Sequence, residues 1–391
     1  MTVGIALPTA EELAATRWFG CKAAAIRTIE LEDTLELGDG AALSILLVNG
    51  ADRYVWTAGP VAAAIMGSGM APSRVSDSWQ FRHVGGPRPG ATERPIGVDQ
   101  SNTSYVVGEL VVVKLFRRLW PGTHPEIEIV EYLSGRVDSV PAFAGAVEWR
   151  GHGVALLQEY VPGGRDGWTW CSEAVMAGDV ANMQRLGAIC AELHAALRGM
   201  GEAAAGPDVL RAWHEAADAQ LARVLDTVPA DVAEELEHAL PRIRAELAAL
   251  EAPDDSPTLQ RVHGDLHIGQ ILAAGDRLVV LDFEGEPARP VTDRAAPGTA
   301  LRDVAAMLRS FDHIGRYVEH ELWPGHRANI ERWIDAARTA FLAGYGPVDA
   351  TLLRALEFEK ECYEFTYAAD FDPSWIYAAR GGMRWLLEQD G

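Results

Sequence analysis

Two short runs, QRVHGDLHIGQ (Gln260–Gln270) and LVVLDFEGEP (Leu278–Pro287), carry side chains that could move a phosphoryl group. Asp265 stands five residues before Gln270, and each can offer oxygen to a metal or to a substrate hydroxyl. Asp282 ends an apolar, strand-forming run, a place from which a carboxylate emerges at a cleft. Phosphoryl transfer needs such parts: one carboxylate to orient the attacking hydroxyl, and two oxygen ligands to hold Mg²⁺ on the nucleotide phosphates. Two other readings compete. His263, Asp265 and His267 could form a His-x-Asp-x-His metal cluster, or the loop could be purely structural. Linked order, spacing and strand context favour phosphoryl transfer.

The protein-kinase pattern H-R-D-x-x-x-x-N followed by D-F-G has the same order and the same Asp-to-amide spacing. Here it reads His263-Gly264-Asp265 with Gln270 in the amide place, then Asp282-Phe283-Glu284-Gly285. Polyphosphate must be held by a chain whose formal net charge is −22, so local basicity is required. Residues 111–118 supply Lys114, Arg117 and Arg118 and no acid. Lys114 is expected on a strand, with Val112 and Phe116 on its face. Its helix partner is expected to be Glu128, with Glu126 and Glu131 as competitors that spacing alone does not separate. No Gly-rich phosphate loop is present. Gln100, Ser101, Asn102, Thr103 and Ser104 stand in its place, able to offer backbone N–H groups and hydroxyls. Glu159 and Val161, just before Pro162-Gly163, are candidates for the adenine edge.

The elements that must position these groups are legible in outline. Short apolar runs with turn signals, such as Leu43–Val48 before Asn49-Gly50, predict a β-rich unit over 1–90 with one helix near Glu11–Ala15. His83–Gly97 reads as a linker. Ser104–Val107 and Leu110–Phe116 read as a hairpin, Pro125–Leu133 as a short helix with Pro at its start. From about Ser172 the periodicity is mostly helical, with two helices divided near Pro229 and others at 300–320, 327–343 and 350–368. Short strands interrupt at 271–273 and 278–283. Strands first and helices later imply an α+β protein with segregated lobes.

Composition narrows the rest. A surface this acidic repels nucleic acid and anionic lipid, so neither is an expected partner. No apolar run approaches the length of a membrane span. The start of the chain does not read as a signal peptide. Four scattered cysteines (Cys21, Cys171, Cys190, Cys362) suit a reducing cytoplasm.

HGDLHIGQ, DFEGEP and LRDVAAMLRSFD (Leu301–Asp312) resemble the maltokinase-like branch of the aminoglycoside-phosphotransferase-type kinases. QSNTSYVVG (Gln100–Gly108) and VVVKLFRRLWPGTHPEIEIVEYL (Val111–Leu133) are similar to that branch's N-lobe. The resemblance implies a bilobal protein-kinase-like fold: a β-rich cap over 1–90, a nucleotide lobe over 91–161, and a helical lobe over 162–391 holding the catalytic loop and acceptor pocket. It implies ATP with Mg²⁺, Asp265 as catalytic base, and Gln270 and Asp282 as metal ligands. Asp303 would brace the loop, and His263 would hold it. Glu284 and Glu286 are left open between substrate contact, metal environment and fold.

The acceptor is read from TLLRALEFEKECYEFTYAADFD (Thr351–Asp372). Glu357, Glu361 and Glu364 fall on one helical face at i, i+4 and i+7, with Tyr363, Tyr367 and Trp375 interleaved or following. The branch carries a similar Lys-x-x-Tyr-Glu-x-x-Tyr pattern at its acceptor pocket, present here as Lys360, Tyr363, Glu364 and Tyr367. Ala-Ala-Asp-Phe-Asp-Pro replaces the basic run expected of a maltokinase after the second Tyr, which favours a cationic acceptor. The segment is most similar to the glucosamine kinases. Glucosamine, phosphorylated at its 6-hydroxyl, is the expected substrate, with Asp265, Glu361, Tyr363, Glu364, Tyr367, Asp370 and Trp375 around it. Maltose, an aminoglycoside and a catalytically inactive binding module are the alternatives. A monomer or weak homodimer is expected.

Overall fold

Two mirror-image turns shape the N-terminal half. At Asn49-Gly50 both central residues have positive φ, 54° and 68°, and Ala51 N–H donates to Val48 O at 3.1 Å. Gly108-Glu109 repeats the geometry with φ of 61° and 54°. This is the turn whose twist matches antiparallel strands. The computed structural model describes residues 7–16, 18–19, 26–67, 73–74, 76–83, 92–97, 101–286 and 294–389.

The first turn closes a three-stranded antiparallel sheet, β1 (Ile29–Gly38), β2 (Ala41–Val48) and β3 (Asp52–Ala58). A seven-stranded sheet follows: β4 (Ser73–Arg74), β5 (Trp79–His83), β6 (Glu93–Ile96), β7 (Asn102–Val107), β8 (Val111–Phe116), β9 (Phe143–Trp149) and β10 (His152–Glu159). Its order is β4-β5-β9-β10-β8-β7-β6. Two short helices, α1 (Ala10–Ala15) and α2 (Val61–Gly67), precede it, and α3 (Pro125–Leu133) follows β8. Leu43, Ile45, Val113, Leu115, Val147 and Leu157 belong to one continuous core.

Residues 1–163 form one compact unit and 164–391 another. The boundary expected at 90 falls inside the first unit, because β4 and β5 lie before it and β5 pairs with β9. The expected linker also departs from expectation: Glu93–Ile96 is the strand β6, paired with β7. Pro95 is tolerated because β6 is an edge strand, where a missing N–H breaks no second ladder.

The second unit is mostly helical: α4 (Gly167–Ala177), α5 (Ala181–Arg198), α6 (Pro207–Thr227), α7 (Ala230–Leu247), α8 (Leu301–Tyr317), α9 (Arg327–Tyr345), α10 (Ala350–Phe371) and α11 (Ile376–Glu388). Short strands β11 (Glu202–Ala204), β12 (Thr258–Gln260) and β15 (Gly298–Thr299) form one small sheet, and β13 (Ile271–Ala274) and β14 (Arg277–Val280) a hairpin. The α+β class, with strands ahead of helices, is as expected. Cys171, Cys190 and Cys362 are buried free thiols; Cys21 lies outside the described residues. No helix among the described residues is long and apolar enough to cross a membrane.

Candidate active site

β12 leads into His263-Gly264-Asp265, and the first turn of α8 holds that loop. Asp303 accepts from the backbone N–H of His263 (2.8 Å) and Gly264 (2.9 Å), and from His194 Nε2 (3.0 Å). Burial opposes its charge, yet the His194 hydrogen bond and the loop N–H groups outweigh burial and keep its pKa below the usual carboxylate value. His263 Nδ1 accepts from Asp265 N–H (3.3 Å), so its proton sits on Nε2, which donates to Leu281 O (2.8 Å). Burial holds this ring neutral. Gly264, at φ +85°, is required: a Cβ there would lie 3.2 Å from Gly285 Cα, so the two loops meet backbone to backbone.

Gln270 follows on a short 3-10 turn (Ile268–Gln270) at the start of β13. Its Nε2 lies 3.4 Å from Asp282 Oδ2 and 3.3 Å from His267 Nε2. His267 Nδ1 accepts from Gly269 N–H (3.1 Å), which leaves the ring proton on Nε2. Two donors cannot face each other. Reversing the Gln270 amide lets Oε1 accept from His267 and sets that oxygen beside the Asp282 carboxylate, a pairing that suits a hard cation between them. Asp282 also holds φ at 66°. A left-handed backbone costs a non-glycine residue about 1–2 kcal/mol, and Asp is among the few side chains that tolerate it.

Asp265 sits in an acidic cluster around one ammonium. Lys360 Nζ is 2.7 Å from Glu286 Oε1, 3.0 Å from Glu364 Oε1 and 3.9 Å from Asp265 Oδ1. Burial pushes the Asp265 carboxyl up to about 7; Lys360 pulls it down and Glu286 pushes it up. For Lys360 burial works against the charge, but Glu286, Glu364 and Asp265 together hold its pKa well above the usual lysine value. A cavity of about 680 Å³ opens beside this cluster, lined by Gly264, Glu286, Lys360, Tyr363, Tyr367 and Asp370, among others. The buried Tyr363 hydroxyl has no partner among the described residues. Tyr363, Tyr367 and Asp370 thus line the cavity, and Glu364 joins it through Lys360.

Glu361 and Trp375 do not line it. Glu361 is completely buried on the far side of α10, bonded to His313 Nε2 at 2.9 Å. The cavity face of the helix is Lys360, Tyr363, Tyr367 and Asp370, at i, i+3, i+7 and i+10. Glu357 and Glu361 occupy the stripe turned toward α8, so the expected common face of Glu357, Glu361 and Glu364 is split. Trp375 packs edge-on against Trp168 (5.6 Å between ring centroids). Lys360 and Glu286 are the residues whose weight was missed. Lys360 was marked only as a member of the Lys-x-x-Tyr-Glu-x-x-Tyr pattern, and nothing local pointed from Glu286 to it.

In the first unit, Lys114 Nζ pairs with Glu126 Oε2 at 2.8 Å, both nearly inaccessible. This corrects the expected partner, Glu128, which is exposed. Residues two apart on a helix point about 200° away from each other, so only one of the two can face the sheet. Strand register sets Ser104 directly opposite Lys114, and Asn102 opposite Phe116. By alternation Asn102 and Ser104 share the Lys114 face, while the Thr103 side chain turns to the reverse face. Ser101 directly precedes β7; Gln100 lies outside the described residues. Glu159 N–H is spent on Ala142 O and Tyr160 N–H on Leu110 O (2.8 and 2.9 Å). Among the described residues Val161 N–H makes no hydrogen bond, while the Glu159 carboxylate accepts from Ala142 N–H at 3.2 Å.

Comparison with known proteins shows the family to which the chain belongs. The phosphotransferase enzyme family model matches residues 92–358. A glucosamine kinase from Streptacidiphilus jiangxiensis is 32% identical over 405 residues, covering 92% of each chain. One from Mycolicibacterium smegmatis is 34% identical across 76% of this chain and 80% of that one. A solved structure of glucosamine kinase in complex with glucosamine, ADP and inorganic phosphate matches with a TM-score of 0.80 and 29% identity, covering 97% of this chain and 99% of that chain.

Proposed function

Because the chain belongs to the phosphotransferase enzyme family, we propose that it is an ATP- and Mg²⁺-dependent glucosamine kinase making glucosamine 6-phosphate. The observation that carries this reading is the likeness, over nearly the whole chain, to a protein solved with glucosamine and ADP. The acidic cluster supports the same acceptor. One ammonium, Lys360, stands among Asp265, Glu286 and Glu364, so a cationic sugar meets net negative charge at this cluster, while Asp370 and Glu359 elsewhere in the lining are paired with Arg223 and Arg302.

Asp265 takes the proton of the 6-hydroxyl as that oxygen bonds to the γ-phosphorus; the bond to the β–γ bridging oxygen breaks and ADP leaves. Tyr363 and Tyr367 offer ring faces and hydroxyls to the sugar. Glu364 and Asp370 are the acids for its amine. Lys114, fixed by Glu126, meets the nucleotide phosphates, as do Ser101, Asn102, Thr103 through its backbone, and Ser104. Gln270 Oε1 and the Asp282 carboxylate would hold Mg²⁺, which when bound neutralises phosphate charge. Replacement of Asp282 by Ala is expected to abolish Mg²⁺-dependent nucleotide binding; unchanged MgATP affinity by calorimetry would count against the metal assignment.

A screen of glucosamine, glucose, maltose and an aminoglycoside tests the acceptor. A charge-assisted hydrogen bond contributes about 1.5–3 kcal/mol, so glucosamine should be preferred over glucose by roughly 10- to 150-fold. Glu364→Gln should erode that preference more than it weakens ATP binding. Equal turnover of glucose or maltose sinks the proposal.

A further inference from the structure

The hairpin that presents Lys114 has a reverse face, and a guanidinium lies there with no acid beside it. Arg117, just beyond β8, is 5% exposed. Its Nε donates to Thr103 Oγ1 (2.8 Å), and its Nη1 to Val55 O (3.1 Å) and Thr57 Oγ1 (3.2 Å). The guanidinium carbon lies 5.2 Å from the centre of the Trp18 ring. The Tyr105 hydroxyl, on the same face, also hydrogen-bonds the guanidinium; all of these partner oxygens are neutral, and no carboxylate pairs with Arg117 among the described residues. The contrast within the molecule is sharp. Buried Arg309 has Glu357 at 2.9 Å and buried Arg316 has Asp312 at 3.2 Å.

A cation taken out of water costs several kcal/mol unless other charges answer it. Burial draws the Arg117 pKa down to about 10, so it is still charged at neutral pH. A structural staple between β3 and β7 would need only hydrogen-bond donors, which a neutral amide supplies more cheaply. The charge therefore calls for an anion. Thr103, held by Arg117, sits between Asn102 and Ser104 in the stretch assigned above to the nucleotide phosphates. On the opposite face the charge of Lys114 is answered by Glu126.

We propose that Arg117 is a positioning residue for the nucleotide, anchoring Thr103 to Val55 and Thr57 of β3 and supplying from behind β7 a positive field that the triphosphate completes. This rests on the ATP reading above. It also gives the N-terminal sheet a part in nucleotide affinity, since β3 supplies two of the oxygens that fix the guanidinium, Val55 O and Thr57 Oγ1.

Arg117→Gln and Arg117→Lys separate charge from stapling when ATP, ADP and adenosine affinities are measured by calorimetry at fixed ionic strength. Removing one charge several ångströms from the phosphates should raise the ATP Kd about tenfold, the ADP Kd less, and leave adenosine within about twofold. Arg117→Lys, which keeps the charge, should hold the ATP Kd within about threefold of the wild type. If Arg117→Gln does not fold, Arg117→Lys and Thr103→Val decide the matter. Thr103→Val cuts only the Arg117–Thr103 bond and should raise the ATP KM by about threefold with kcat and Tm little changed. Equal losses for ATP and adenosine overturn the proposal, as does a folded Arg117→Lys that loses ATP tenfold or a Thr103→Val with a wild-type ATP KM. A wild type that binds neither ATP nor ADP overturns the nucleotide reading, and this one with it.

Discussion

Asp265→Asn is expected to lower turnover by a factor on the order of 10² or more, with ATP affinity largely intact. The substitution keeps the shape of the side chain and removes the carboxylate proposed to take the proton of the attacking hydroxyl. Its pH behaviour gives a second readout. Burial sets the Asp265 carboxyl at about 7 in the folded protein, so wild-type kcat/KM should climb through pH 7 as the base loses its proton and then level off. In Asp265→Asn that limb should vanish with the activity. The sign for stability runs the other way. The folded-state pKa is raised above the ordinary Asp value, so the favourable contribution of the protonated carboxyl is fully present below that ordinary value and is lost as pH rises through about 7. Asparagine is neutral at every pH and does not lose it, so the variant's Tm at pH 8 should equal or exceed that of the wild type. Turnover within tenfold of the wild type, or a variant that loses ATP affinity as steeply as rate, would remove Asp265 from the role of base.

Groups whose chemistry fixes both residue type and short-range spacing were legible in the sequence. His263, Asp265, Gln270 and Asp282 lie within twenty residues, and the loop that joins them is braced by Asp303 through backbone N–H groups. Long helices were legible because their apolar stripes repeat. What stayed hidden depends on which face meets which neighbour. Glu126 was passed over for Glu128, although the signal was present: Glu126 lies in register with Ile129, Val130 and Leu133, the buried stripe of α3. An acid placed on an apolar stripe is buried, and a buried acid needs a cation. The strand Glu93–Ile96 was unreadable for another reason, since pairing with β7 is a long-range event and its Pro argues locally for a linker. Helix α11 carries Gly381-Gly382, which helix propensity disfavours. Packing requires the pair, because a Cβ on Gly382 would sit 2.6 Å from Glu361 Oε2 and one on Gly381 2.9 Å from Arg316 Cδ.

That close approach makes Glu361 the residue whose loss should destabilise the second unit most. Glu361 Oε1 is 2.9 Å from His313 Nε2, and Oε2 is 3.7 Å from Arg309 Nη1. Arg309 also pairs with Glu357, which takes both Nη atoms of Arg338 at 2.6 and 3.0 Å. Both guanidiniums lie against the Trp385 ring of α11. The network therefore joins α8, α9, α10 and α11. Burial works against the His313 charge, but the Glu361 carboxylate holds its pKa above the ordinary histidine value. Glu361→Ala leaves two buried cationic partners short of one carboxylate and opens a void under Gly382. Breaking a buried pair from one side costs about 3–5 kcal/mol, so thermal or urea unfolding should show a loss of that size. Glu361→Gln, which keeps the volume, should lose less. The same variants separate packing from acceptor binding: where Glu361→Gln remains folded, its KM for glucosamine should stay near the wild-type value, while Glu364→Gln raises KM with little change in Tm. A Glu361→Gln protein of wild-type stability with glucosamine KM raised as far as in Glu364→Gln would return Glu361 to the pocket.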